Sequence, residues 1–493
     1  MLKWFSTITG TRVARAGVIL TATALAACAV GPNYREPSLA TPDEWHSQPA
    51  TGVRADDAEA LASWWTILND ATLNQLIEQA LAENKSVKQA IARVKESRAR
   101  RNITAAGLFP TLGSSASGSH SNSDVRITDP DTLLDTSNSR SNESYSSALD
   151  AGWELDVFGG TRRSLQASTA QLAATEADLR DALITLLGDV AVGYVNVRTT
   201  QSRLTYAERS LKAQSDVLDI TGWRAEAGLA TELDVEQAKA NYAQTRAQIP
   251  SLESNLTAAK NRLAVLTGQQ PGALEDKLAE RRPIPTVPTD IISSVPAEVL
   301  RRRPDVRSAE RRLAAQTAQV GVATAALYPS LSLSGSLGVS AASAGDLFSE
   351  NLGTTRYGLS LNMPIFRAGA LRQNIKAQNA LVDQALASYE ATVLAVYEEV
   401  ENALTAWINE QRRHAALVEA LNSAQLAYQL ATVQYNSGIV DFQTVLTADR
   451  QLIATQDALA VSDGEITSNL IRLYKALGGG WSVYPAAAAA TTR

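Results

Sequence analysis

The chain has 493 residues, 45% of them apolar and 19% charged, with a slightly negative mean hydropathy; this excludes a bundle of transmembrane helices and fits two or three core units or one elongated body. Removing the three basic residues of the first 27 (Lys3, Arg12, Arg15) takes the formal net charge from −6 to −9, and an acidic balance gives no footing for nucleic acid. Cys28 is the single cysteine, so there is neither a disulfide framework nor a multi-cysteine metal site.

In chain order, residues 1–15 are basic and free of acids, and Ala16 to Ala27 is a small apolar run. That is the layout of a secretory signal peptide, residues 1–27. An apolar run of about 12 residues is too short to span a bilayer. Leu25-Ala26-Ala27-Cys28 resembles the bacterial lipobox, which implies that Cys28 becomes the lipidated first residue of the mature chain. Ala29 follows, where an Asp would resemble an inner-membrane retention signal, so the outer membrane is favoured. Residues 28–62 read as a lipidated N-terminal linker.

Two halves with one ground plan come next, 63–268 and 305–480, joined by the linker 269–304 and followed by a tail, 481–493. Phe109-Pro110-Thr111-Leu112 recurs as Tyr328-Pro329-Ser330-Leu331, and Asp156-Val157-Phe158-Gly159-Gly160 as Pro364-Ile365-Phe366-Arg367-Ala368-Gly369. Gly228-Leu229 recurs as Gly438-Ile439, and Leu266-Thr267-Gly268 as Leu477-Gly478-Gly479. A duplication of this kind is the first organisational signal to seek.

Each half opens with a helix and then alternates. Residues 145–158 place Leu149, Ala151, Trp153 and Leu155 on one face and Asp150, Glu154 and Asp156 on the other. Residues 330–340 and 356–365 alternate in the same way, and 111–120 does so weakly. Period two means strand. A soluble sandwich fits this alternation as well as a membrane barrel does. The secretion signal, the polar loops at 121–143 and 341–355, and the count of four favour strands of a barrel shared between protomers, since about eight are needed to close even a filled one. Each half then holds a long Pro-free tract, 162–249 and 365–484. Helices from Arg162 to Glu226 and from Gly369 to Asn436 would each reach about 100 Å. Gly228 and Gly438 end them, and second helices follow at 232–266 and 442–476, making helical hairpins.

Three stretches carry a family resemblance: Cys28-Ala29-Val30-Gly31-Pro32-Asn33-Tyr34 with Pro37; Ser63-Trp64-Trp65 with Asp70, Leu73, Leu76-Ile77, Ala80-Leu81 and Asn84; and Val299-Leu300-Arg301-Arg302-Arg303-Pro304-Asp305-Val306-Arg307-Ser308-Ala309-Glu310. Together with the duplicated plan, they make the mature chain similar to the TolC-type outer membrane factors, in the lipoprotein branch serving resistance-nodulation-division pumps. The resemblance implies an α+β membrane protein of the Gram-negative outer membrane. It implies a homotrimer whose twelve strands form one barrel, continuous with a periplasmic barrel of twelve helices. An equatorial belt would be built from the stretch after Cys28, the segment 268–304 and the C-terminus.

The expected function is that of a passive exit channel of a tripartite pump for drugs or toxic compounds, with a periplasmic adaptor and an inner-membrane pump as partners. An exit duct for type I protein secretion and a non-transporting spacer or adhesin lipoprotein are the alternatives. No cofactor, metal site or catalytic constellation is expected. His46, His120 and His414 have no ligand partner at helical spacing, and no nucleophile elbow or phosphate-binding loop appears.

Candidate functional residues fall in three places. Asp150, Glu154 and Asp156 would face the barrel lumen. Gly228-Leu229 and Gly438-Ile439 resemble the family's adaptor-docking tips, and their glycines also serve as helix caps. For the periplasmic gate, Tyr435 and Arg450 match the family pattern, but Thr447 stands where an Asp is expected. Asp449 lies two positions on, about 200° round the helix, and need not replace it. Arg450, Tyr435 and Asp441 are therefore expected to keep the latch. Replacing Cys28 by Ala should abolish labelling of the protein by radioactive acyl precursors; undiminished labelling of that variant would rule out the lipid anchor.

Overall fold

The computed structural model describes residues 29–38, 45–46, 53–54, 62–128, 135–286, 292–294, 303–347, 349 and 353–480. Cys28, the signal segment, the tail 481–493 and Val299 to Arg302 of the mid-chain signature lie outside them. The chain divides into two compact units, the first made of Met1–Pro37, Glu96–Ala173 and Glu310–Ala387, the second of Ser38–Lys95, Ala174–Ala309 and Ser388–Arg493. No described helix is long and apolar enough to cross a membrane.

The elements run β1 (Val53–Arg54), α1 (Ala71–Glu83), α2 (Lys85–Ala106), β2 (Thr111–Thr128), β3 (Asp135–Leu155), α3 (Gly160–Glu226), α4 (Glu232–Leu266), β4 (Ile292–Ser294), α5 (Pro304–Ala325), β5 (Ser330–Ala341), β6 (Gly353–Asn362), α6 (Ala370–Asn436) and α7 (Phe442–Ala476). The helices α3 and α6 are each 67 residues long, and α4 and α7 each 35. Their bounds agree with the sequence expectation to within two residues. Pro250 sits inside α4 without ending it.

In the first unit, β2-β3-β5-β6 form one antiparallel sheet in that order. The polar stretch 121–143, expected to be loop, is mostly strand: β2 and β3 stay paired from Thr111↔Gly152 out to Thr128↔Asp135. Serine and asparagine there hide the signal, because the ladder is a backbone property and needs no apolar alternation. Asp156 also departs from expectation. β3 ends at Leu155, and the Asp156 carboxylate accepts the backbone N–H groups of Thr161 (3.0 Å) and Arg162 (2.8 Å) at the start of α3. It pairs with the Arg162 guanidinium as well, at 3.1 Å. A carboxylate at a helix N-terminus meets free amides and the positive end of the helix dipole, so Asp156, one residue past the strand, caps α3.

The segment after Cys28 is held in a cradle of this unit. Arg163, 4% exposed, donates to the carbonyls of Val30 (3.0 Å) and Gly31 (3.1 Å) and to the Asn33 side chain (2.9 Å). Gly31 takes a φ of +90°, and a Cβ there would meet the Gly321 backbone at 2.5 Å. Val30 N–H donates to Phe158 O, and Tyr34 O–H to Glu310 at 2.6 Å.

The second unit explains two of the sequence signatures. Trp64, in a short 3-10 turn, stacks on Tyr474 at 5.8 Å and meets Trp65 edge-on. Asp70 caps α1 through Leu73 N–H and also accepts the Tyr194 hydroxyl at 2.6 Å. Burial and that carboxylate push the Tyr194 hydroxyl up to about 12. Leu73, Leu76, Ile77 and Ala80 are buried at helical spacing, and Asn84 bridges Val87 N–H and Leu266 O. Further on, Pro304 takes the first helical position of α5. Arg303 beside it binds Asp305 and Glu399, each at 2.7 Å, and the Ala476 carbonyl.

Truncating Arg163 leaves three acceptors of the cradle short of a donor, a loss of roughly 3 kcal/mol for a buried charged group. Arg163→Ala should therefore lower the melting temperature and expose the segment after Cys28 to protease. Unchanged melting and unchanged cleavage would show that the cradle does not hold it.

Candidate functional site: a two-faced sheet and the hairpin ends

Register sorts the sheet by chemistry. One face carries Leu149↔Leu337, Trp153↔Leu333↔Leu359 and Leu155↔Leu331↔Leu361, with Leu112 opposite Ala151. Every residue of β6 is exposed, Tyr357 at 90%. An apolar face this continuous and this open is a surface awaiting cover. The opposite face runs Gly113↔Asp150↔Ser336↔Arg356 and Glu154↔Ser332↔Ser360. Asp150 accepts from Ser115 Oγ at 2.7 Å. Trp153 keeps its ring with the leucines and its indole N–H on Leu108 O at 3.0 Å.

In the second unit, the two hairpin ends are built alike. Gly228 (φ +71°) and Gly438 (φ +73°) stop α3 and α6. The next residue donates back across the turn in each: Leu229 N–H to Arg224 O at 2.7 Å, Ile439 N–H to Gln434 O at 2.9 Å. This is the Schellman closure, and the left-handed residue it needs is why glycine stands there. Leu229 and Ile439 are both exposed. α4 then starts with a Thr231–Asp234 capping box, and α7 with Asp441 accepting Thr444 N–H (2.9 Å) and Oγ1 (2.6 Å). Those two bonds hold the Asp441 carboxyl below its usual range.

Tyr435 packs its ring against Phe442 at 5.3 Å and beneath the Arg224 guanidinium at 4.6 Å. Burial raises its hydroxyl, against the opposing pull of Arg224. Thr447 is exposed and donates to its own helix at Gln443 O. Asp449, set aside by the sequence pattern, is 8% exposed and accepts from Gln214 Nε2 (2.8 Å, α3) and Asn241 Nδ2 (2.9 Å, α4). Asn241 Oδ1 accepts from Arg450 Nε at 3.2 Å.

Three helices thus meet on one polar cluster. Beside it lies a groove of ≈ 570 Å³, lined by Arg203, Asn241, Arg450 and Asp457 among others. Arg203 and Asp457 are joined by two bonds of 2.7 and 3.1 Å. Asp449 and Arg450 therefore share a partner, whereas Tyr435 and Asp441 hold the hairpin end itself. Sequence reading missed Gln214, Asn241, Arg203 and Arg163. The one available signal was Asn241, a polar residue at helical spacing from the buried Ala238 and Thr245.

The family model for outer membrane efflux protein matches residues 76–269 and 295–479. Nodulation protein T of Rhizobium leguminosarum bv. trifolii is 32% identical over 458 residues, covering 93% of this chain and 96% of that protein. The solvent efflux pump outer membrane protein SrpC of Pseudomonas putida is 32% identical over 463 residues, covering 93% and 97%. Among solved structures, the outer-membrane channel OprN is similar with a TM-score of 0.85 at 36% identity, over 92% of this chain and 100% of that one. By sequence over most of its length, and by fold, the chain belongs to the outer membrane efflux protein family.

Proposed function

We propose that the chain is the passive outer-membrane exit channel of a tripartite efflux pump, releasing small molecules such as drugs or toxic compounds to the exterior. The observation that carries the reading is the sheet, with an open apolar face, a polar face behind it and, among the described residues, an edge strand at each side paired on one side only. In hydrocarbon every backbone polar group must be paired, so strands cross only as closed systems. Four strands are too few, since about eight are needed for a filled barrel. Three copies would supply twelve, with the leucines toward lipid and Asp150 and Glu154 toward water. The name of the Pseudomonas putida relative, a solvent efflux pump outer membrane protein, fits the cargo class.

The rest of the chain takes its place in that reading. The two sequence halves each give one hairpin, 67 and 35 residues long. Three copies would thus wall a periplasmic tunnel with twelve helices. Acyl chains on Cys28 would hold the cradled segment at the membrane, at about 0.8 kcal/mol per buried methylene. Gly228-Leu229 and Gly438-Ile439 would dock the periplasmic adaptor, and the inner-membrane pump would supply the energy. At the tunnel end, the bonds of Asp449 and Arg450 to Gln214 and Asn241 form the latch. A single such bond is worth about 1 kcal/mol, or 1.5–3 kcal/mol when one partner is charged, which a docking partner can repay. Tyr435 and Asp441 keep the hairpin end in shape beside it, and Thr447 stands exposed on α7.

In planar bilayers the purified protein should conduct; an oligomer inserted without conductance would sink the channel reading. Arg450→Ala should raise the conductance of the resting channel several-fold by freeing Asn241, and conductance identical to the unaltered protein would remove Arg450 from the latch.

A further inference from the structure

The polar cluster near the hairpin ends encloses a small cavity of its own. Gln214 of α3, Asn241 of α4, Tyr428 of α6 and Asp449 of α7 line it, so all four long helices reach it. Its volume is ≈ 10 Å³, room for one particle of water's size. The rest of its wall is apolar, with Val217, Ala238, Val445 and Leu446, and these side chains pack in the cluster that buries Phe442.

Two features of the polar wall stay unbalanced. Gln214 is 5% exposed and donates Nε2 to Asp449. An ionised carboxylate only accepts, so the amide can sit no other way round. Its Oε1 is thereby left buried with no hydrogen-bond partner. Asp449 in turn has only neutral partners among the described residues, the amides of Gln214 and Asn241. The Arg450 guanidinium, next to it in sequence, turns to Asn241 Oδ1 and lines the outer groove rather than this cavity. A buried charge with neutral partners is costly, and the apolar wall raises the cost.

We propose that the cavity is a binding site for one dehydrated alkali cation, held by the Asp449 carboxylate, Gln214 Oε1 and the Tyr428 hydroxyl oxygen. A water molecule would meet the orphaned oxygen and leave the charge uncompensated, whereas a cation meets both. Protein oxygens can replace the hydration shell of a monovalent ion. Calcium takes about six to eight oxygen ligands and magnesium a near-ideal octahedron, more than a wall with a single carboxylate offers. The ion draws α3, α6 and α7 onto one point, and Asn241 ties in α4 through its bond to Asp449. Any effect on opening rests on the latch reading above; the binding itself needs only these side chains.

Melting of the full-length protein in detergent, at equal ionic strength in sodium, potassium or choline chloride, tests the site. Sodium or potassium should raise the melting temperature above that in choline, an ion too large for the cavity, by about 2 °C or more, saturating with concentration. Asp449→Asn keeps the size, loses the charge and should lose this dependence. Crystals soaked in thallium(I), a heavy stand-in for alkali ions, should show an anomalous-scattering peak between Asp449 and Gln214. Equal melting of the unaltered protein in all three salts, a difference that Asp449→Asn retains, or crystals without the peak would overturn the site and leave the cavity to water. Should Asp449→Asn fail to fold, the salts and the thallium peak decide on the unaltered protein. Planar bilayers separate the two readings: a protein that conducts yet melts alike in all three salts keeps the channel and loses the ion, and one with the ion dependence but no conductance does the reverse.

Discussion

A strand at the edge of a sheet carries a row of backbone N–H and C=O groups, and in lipid another strand is the one partner that can satisfy them. Much of the first unit follows from that constraint. Its two faces differ in polarity: leucine, tryptophan and tyrosine on one side, serine and glycine with Asp150, Glu154 and Arg356 on the other. Gly338 shows how close the strands come there, since an added Cβ would lie 2.6 Å from Ser147 O and 2.7 Å from the Ala148 side chain. The serines that keep the face wettable are also small enough for strands that approach so closely.

The helices face a different problem. A tract of 67 residues rich in Ala, Leu and Gln has many near-equivalent ways to slide along a neighbour, because apolar contact is not directional. In the second unit, polar pins fix the alignment. Asp449 binds α3 and α4 at one level, and Arg203 binds Asp457 of α7 at another. Glycines add close approach: a Cβ on Gly464 would strike Thr199 at 2.1 Å, and one on Gly188 would meet Lys475 at 3.1 Å. A buried polar group earns its place in such a bundle by setting register rather than by adding stability.

What was legible in the sequence tracks how local the cause is. Helix bounds came out within two residues, because the cap signals at Gly228, Thr231, Gly438 and Asp441 are short-range chemistry. Strand faces came out through alternation wherever large apolar residues supplied it. The outer parts of β2 and β3 did not, since Ser, Asn and Asp leave no alternation to read and the ladder is fixed by pairing across the hairpin. The capping bonds of Asp156 were not legible, because parity along a strand says nothing about where the strand stops. Asp449 was undervalued for a related reason: its angle round the helix was known, but its partners lie more than 200 positions away, at Gln214 and Asn241.

The two junctions that lead from a strand into a long helix differ in chemistry. The first keeps Asp156 as cap of α3 and the Phe158–Tyr328 stack. At the equivalent place before α6 stands Pro364, and the chain enters the helix through Ala368 (φ +47°) and Gly369 (φ +81°) instead. A proline has no N–H to leave unpaired and a nearly fixed φ, so Pro364 restricts the approach to α6, in which Phe366 stands exposed. Phe158 is thus packed against Tyr328, a contact for which Phe366 has no counterpart among the described residues.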